Sequence, residues 1–183
     1  MQIRLAADLQ PDSVVDGEGV RTVLWTQGCP HACKGCHNPQ THSFDGGALV
    51  DVDYIIEELK TIKNQDGITL SGGDPVCQSD ACYEIAKAAH EMGLNVWCYS
   101  GFTFEKMLLN PKHRRLLDQV DVLVDGKYVE EERSLNLYFR GSRNQRIIDV
   151  QESLKEGRVV LVEKYIEEKS YSNIYEKPKY MFI

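Results

Sequence analysis

The residues on this chain best equipped for chemistry are its six cysteines, three of which fall within eight positions. Gln27 to Pro39 reads QGCPHACKGCHNP and spaces Cys29, Cys33 and Cys36 as C-x3-C-x2-C. Thiolates are soft ligands suited to zinc or to an iron–sulfur cluster. Three from one loop can hold three corners of a cubane cluster and leave the fourth iron open, by the logic that separates open catalytic metal sites from closed structural ones. A zinc site completed by His31 or His37 is the alternative, although zinc motifs usually add a second ligand pair at a distance. Cys77, Cys82 and Cys98 are scattered and read as small buried apolar groups. His31, lying between the ligands, reads as exposed.

Such a loop needs a scaffold, and the flanking pattern supplies one. Val20 to Gln27 reads as a strand ending at Gly28. Asp51 to Lys63 reads as a helix, with Val52, Ile55, Ile56, Leu59 and Ile62 on one face and Asp51 as its cap. Gly67 to Leu70 is a short strand running into Ser71-Gly72-Gly73-Asp74-Pro75. Ser79 can cap the next helix, which Gly93 stops. Leu94 to Tyr99 is a strand ending at Ser100-Gly101, and Val120 to Val124 is one ending at Asp125-Gly126-Lys127. Arg146 to Val150 and Arg158 to Val162 are later strands.

This alternation predicts parallel βαβ units. A full (β/α)8 barrel needs about 250 residues, so 183 residues predict an α/β fold of one domain built as an incomplete, open parallel (β/α) barrel. Residues 163–183, which mix Lys, Glu and Tyr, read as a surface or partner-ordered tail. Chemistry in such folds collects at the carboxyl ends of strands. The cysteine loop, Gly72-Gly73, Ser100-Gly101 and Asp125-Gly126 all follow strands and are expected to meet at one rim.

The net charge of −7 argues against a nucleic-acid partner, which calls for a basic face. Met1 to Ser13 lacks a basic start followed by an apolar run, so no secretory leader is expected. No apolar stretch approaches the roughly 20 residues of a membrane span. A cytoplasmic protein without a membrane partner is the expectation. Arg133 to Arg146 holds four arginines and no acid, and reads either as a docking patch or as a solvated face balanced by Glu130, Glu131 and Glu132.

The cysteine loop after one strand and the Gly-Gly-acid-Pro loop after the next resemble the radical S-adenosylmethionine superfamily. Val15-Asp16-Gly17-Glu18-Gly19-Val20-Arg21 and Cys36-His37-Asn38 resemble its glycyl-radical-enzyme activases. Asp121 to Gly126 and Arg140 to Arg146 are similar to the branch that activates anaerobic ribonucleoside-triphosphate reductase. The resemblance covers about residues 14 to 150. Two positions depart from the common pattern: Gly35 stands where many members carry an aromatic residue, and Glu18 where a proline is frequent.

The resemblance implies a [4Fe–4S] cluster on Cys29, Cys33 and Cys36, with S-adenosylmethionine bound at the open iron. One electron from a low-potential donor then yields methionine and a 5′-deoxyadenosyl radical. It assigns Gly72, Gly73, Asp74 and Pro75 to the methionine ammonium. Ser100 and Asp125 are expected near the ligand, Lys127 near its carboxylate, and His37 and Asn38 beside the cluster or adenine. Taken singly, the Gly-Gly-Asp-Pro segment is an ordinary turn, Ser100 a cap and Asp125 a turn residue. The implied partner is a large glycyl radical enzyme, the anaerobic reductase first among them. Activation of another such enzyme, small-molecule chemistry like that of deazaguanine synthases, and a non-catalytic zinc or iron–sulfur module are the alternatives.

Overall fold

A computed structural model describes residues 1–168. Within them the chain forms, in order, β1 (Gln2–Leu5), β2 (Gln10–Ser13), β3 (Arg21–Thr26), β4 (Ala48–Asp51), α1 (Val52–Thr61), β5 (Gly67–Gly72), α2 (Ser79–Glu91), β6 (Asn95–Ser100), α3 (Phe104–Leu108), α4 (Pro111–Leu117), β7 (Val122–Asp125), β8 (Arg146–Asp149), α5 (Val150–Glu156) and β9 (Val160–Leu161). All strands join one sheet in the order β4-β1-β3-β5-β6-β7-β8-β9, with β2 also on β3.

The predicted parallel architecture holds only in the middle. β3, β5, β6 and β7 are parallel neighbours, whereas β1, β2, β4, β8 and β9 pair antiparallel. The sheet is mixed, and it ends in β4 on one side and β9 on the other rather than closing. A parallel neighbour requires a crossover, usually a helix. The segment between β7 and β8 holds a short 3-10 turn at Glu130–Glu132 and an isolated antiparallel bridge between Arg133 and Ser142 rather than a crossover helix, and β8 returns beside β7 in the opposite sense.

The helices cover the sheet as their periodicity predicts. Val52, Ile55 and Leu59 of α1 are buried, as are Ala81, Cys82, Ile85, Ala86 and Ala89 of α2. They pack on Leu24, Ile68, Leu70, Val96 and Cys98 of the central strands. Each fully buried large aliphatic there contributes about 1.5–3 kcal/mol relative to exposure. Gly93, at φ +80°, ends α2. The start of α2 differs from expectation. The Ser79 hydroxyl donates to the Val76 carbonyl at 2.5 Å, and it is Asp74 that accepts the Val76 N–H at the turn leading into the helix. Cys82 and Cys98 are buried, but Cys77 is exposed, contrary to the reading of all three as buried. Of the tail from residue 163, Tyr165 packs with Trp97, Val124 and Ile147, and residues 169–183 lie outside the described residues.

Candidate metal and cofactor site

The four parallel strands end side by side. Thr26 of β3 is level with Gly72 of β5, and Ser100 of β6 is level with Asp125 of β7. The loops that leave them share one open cavity of about 610 Å³, lined by Cys29, Cys33, Cys36, His37, Asn38, Gly72, Gly73, Ser100 and Lys127 among others. That volume lies within the range of small-molecule sites.

The cysteine loop is fastened along its base. The Gly28 N–H donates to the Thr41 carbonyl at 2.8 Å and the Cys29 N–H to the His42 carbonyl at 3.0 Å. Ala32 and Gly35 adopt left-handed φ of +46° and +71°, which coils the loop between its cysteines. The Asn38 N–H donates to Cys36 Sγ at 3.4 Å. Burial pushes the Cys29 thiol pKa up, partly offset by the His31 backbone N–H. Three thiols from one loop open onto one cavity, with Asp16 the one carboxylate among its lining residues. This soft donor set with space beside it suits a thiolate-held cluster with an open position.

The loop after β5 closes against the cysteine loop. Gly73 N–H donates to the Thr26 carbonyl at 2.7 Å and Asp74 N–H to the Gly28 carbonyl at 2.9 Å. A Cβ at Gly73 would stand 2.4 Å from the Gly28 carbonyl oxygen, so only glycine permits this approach. Asp74 is 1% exposed and faces the protein rather than the cavity. Its carboxylate accepts from His31 Nε2 at 2.7 Å, the Ser100 hydroxyl at 3.0 and 3.1 Å, the Gly101 N–H at 3.0 Å and the Val76 N–H at 3.1 Å. His31, read from sequence as exposed, is therefore held inward, with a side chain only 7% exposed. Pro75 is buried behind the same loop.

Asp125 likewise turns away from the cavity, toward the Phe104 N–H at 2.8 Å and the Arg146 guanidinium. Lys127 and His37 reach the lining; the ring of His37 lies 4.9 Å from that of Tyr128. The arginine-rich segment is largely engaged internally. Arg140 donates to the carbonyls of Tyr165 and Ile166, Arg143 pairs with Glu168, and Arg146 pairs with Asp125 and Glu105.

The far wall contains residues that sequence reasoning did not single out: Trp25, Tyr99, Tyr128 and Phe139. Tyr99 donates its hydroxyl to the Phe139 carbonyl at 2.8 Å. Arg21 was noticed only as part of a motif. It is fully buried and donates to Thr69 Oγ1 and to the carbonyls of Glu18 and Ile68, and burial lowers its pKa to about 10. Thr69 in turn donates to the Asp16 carbonyl at 2.7 Å, so the pair holds the 14–19 loop over the cavity. The partners that bury Arg21 and hold Tyr99 lie 40 to 48 positions away, beyond any local sequence pattern.

Residues 15–148 match the family model of the 4Fe-4S single cluster domain, so the class is that of single-cluster iron–sulfur proteins. The anaerobic ribonucleoside-triphosphate reductase-activating protein of Haemophilus influenzae is 37% identical over 145 residues, covering 75% of this chain and 92% of that protein. The protein of the same name from Escherichia coli K12 is 33% identical, covering 74% and 92%. That of Enterobacteria phage T4 is 33% identical, covering 76% and 90%. The chain belongs to the family of anaerobic ribonucleoside-triphosphate reductase-activating proteins. A solved structure of QueE from Escherichia coli overlaps 56% of this chain and 54% of its own at a TM-score of 0.47 and 13% identity, a likeness too loose to bear on the fold. Among the described residues, no helix is long and apolar enough to cross a membrane.

Proposed function

We propose that this chain activates an anaerobic ribonucleoside-triphosphate reductase by generating a glycyl radical on that partner, with Cys29, Cys33 and Cys36 holding a [4Fe–4S] cluster. The observation that carries the reading is three thiols at C-x3-C-x2-C spacing, opening onto one cavity at the ends of four parallel strands. When bound, the cluster would pass one electron from a low-potential donor to S-adenosylmethionine, breaking its sulfonium–C5′ bond to give methionine and a 5′-deoxyadenosyl radical, which would become 5′-deoxyadenosine on taking a hydrogen atom from the partner's glycine.

The chain's own residues position and shield. Gly72 and Gly73 present bare backbone beside the thiols, where the methionine end of the cosubstrate would lie. Lys127 and Arg133, both on the lining, offer positive charge to its carboxylate, and His37 and Asn38 flank the third thiol. Trp25, Tyr99 and Phe139 exclude water from the far wall. Asp74, Pro75 and Asp125 support this lining from behind, and Ser100 joins it while its hydroxyl donates to Asp74. We read the open sheet as a single-domain, shortened barrel whose missing strands leave a side for the partner's segment. A low-potential donor and the anaerobic cytoplasm complete the reading.

A second reading has one observation in its favour. Cys29 Sγ, a His31 ring nitrogen and an Asp74 carboxylate oxygen lie within 4.8 Å of one another, which suits a mononuclear zinc ion. Four donors already occupy that carboxylate, which argues against it.

The test is anaerobic: load with iron and sulfide, reduce, add S-adenosylmethionine and assay 5′-deoxyadenosine, then add the reductase and look for a glycine-centred radical by electron paramagnetic resonance. Both signals, dependent on all three cysteines, are expected. Stoichiometric zinc with no uptake of iron or sulfide would overturn the reading in favour of a binding module.

A further inference from the structure

We infer that His31 is a positioning residue that locks the cysteine loop to the loops after β5 and β6 through Asp74. The inference rests on the proposed cluster site and adds a part to it. His31 sits midway between Cys29 and Cys33. Its ring stays near Cys29, a ring nitrogen lying within 4.8 Å of that thiol, and donates from Nε2 to Asp74 Oδ2 at 2.7 Å. The same carboxylate accepts from the Ser100 hydroxyl and the Gly101 N–H, both at the end of β6. One buried carboxylate therefore ties together three of the four strand ends.

The fit around the ring is close. The Phe102 ring meets it edge-on at 4.6 Å, and a Cβ at Gly101 would stand 2.3 Å from it. Four donors converge on the one buried carboxyl group of Asp74, and a buried polar group is expensive to leave without its partners. Removing outer partners that orient metal ligands typically costs about 10–100-fold in metal affinity. The arrangement gives Asp74 a role distinct from contact with the cosubstrate: it holds the first thiol and the Gly72-Gly73 backbone at a fixed separation.

The experiment uses the full chain with His31→Phe, His31→Gln, Asp74→Asn and the His31→Phe/Asp74→Asn double variant. Phenylalanine keeps a ring against Phe102 but loses the donor, and glutamine keeps a donor. In cluster-free protein, amide hydrogen exchange over residues 28–36 should speed up about tenfold in His31→Phe and Asp74→Asn. The double variant should be no faster than the worse single, and His31→Gln should recover most of the protection. In loaded protein, the same variants should release iron to a chelator about tenfold faster and shift the resonance spectrum of the reduced cluster, with His31→Gln again close to the parent.

Unchanged exchange in His31→Phe, or additive effects in the double variant, would overturn the lock whatever the metal content. Altered exchange with unaltered iron release and spectrum would overturn its role at the cluster. A parent chain that takes up no iron and sulfide would overturn the function proposed above, and the role at the cluster with it, while the exchange data would still report on the lock.

Discussion

Arg146, on β8, grips the buried carboxylate of Asp125 with Nε at 2.9 Å and Nη2 at 2.5 Å, and reaches Glu105 on α3 with the same guanidinium. Asp125 is 1% exposed and also accepts the Phe104 N–H that opens α3. One cation thus joins β7, β8 and the helix after β6.

Removing that cation leaves a buried carboxylate facing a single amide. Arg146→Ala should lose about 3 kcal/mol of stability, because a buried charge without its partner is expensive. Urea denaturation at neutral pH reads the loss. A change below about 1 kcal/mol would show that solvent reaches Asp125 readily.

The Glu105 arm has a pH signature. Its hydrogen bonds to Arg146 hold its pKa down at about 2, against an ordinary 4.5. A depressed carboxylate contributes stability that is fully present above its unfolded pKa and lost as pH falls toward the folded one. The contribution should disappear between about pH 4.5 and 2 and be absent from Glu105→Gln. Because Glu105 is more than half exposed, its size should be about 0.5–1 kcal/mol, read as converging urea midpoints of parent and variant as the pH is lowered.

Gly73→Ala should cost about 1–3 kcal/mol as an overpacked contact, since the new methyl meets the Gly28 carbonyl oxygen at 2.4 Å. The backbone must part where the cysteine loop begins. A fall in melting temperature together with reduced iron uptake is expected. Normal uptake in a folded variant would separate this contact from the site.

Tyr99→Phe removes the donor to the Phe139 carbonyl. Phe139 sits at a left-handed φ of +43° with its ring 5.3 Å from that of Trp97. The loss should be about 0.5–1.5 kcal/mol, the net worth of one hydrogen bond at a partly buried acceptor. Faster amide exchange at 137–141, with β6 itself still protected, would locate the effect.

The parallel centre of the sheet and the meeting of its loops were legible in sequence, because helical and strand periods alternate there and each strand ends in a glycine or small polar residue. The antiparallel flanks were not. β2 reads Gln10-Pro11-Asp12-Ser13, whose Pro and Asp are poor strand formers, and only its pairing with β3 makes it a strand. Cys29, Cys33 and Cys36, which line one cavity, were singled out by their spacing. The inward turn of His31 did not, since its partner lies 43 positions away. Asp125 was placed at the correct strand end, but the arginine that claims it follows 21 positions later, beyond the reach of any local pattern.

The level pairing of Thr26 with Gly72 and of Ser100 with Asp125 makes the hydrogen-bond ladder a ruler for everything built on its end. Deleting one residue inside β5 would turn each of its side chains to the opposite face and draw Gly73 and Asp74 back by about 3.3 Å, out of reach of Gly28 and His31. Length changes should therefore be tolerated at the far end of the strands, as in the Gly157 turn, and not within the strands. For this chain the count of residues from strand start to strand end is as much a part of the site as the cysteines themselves.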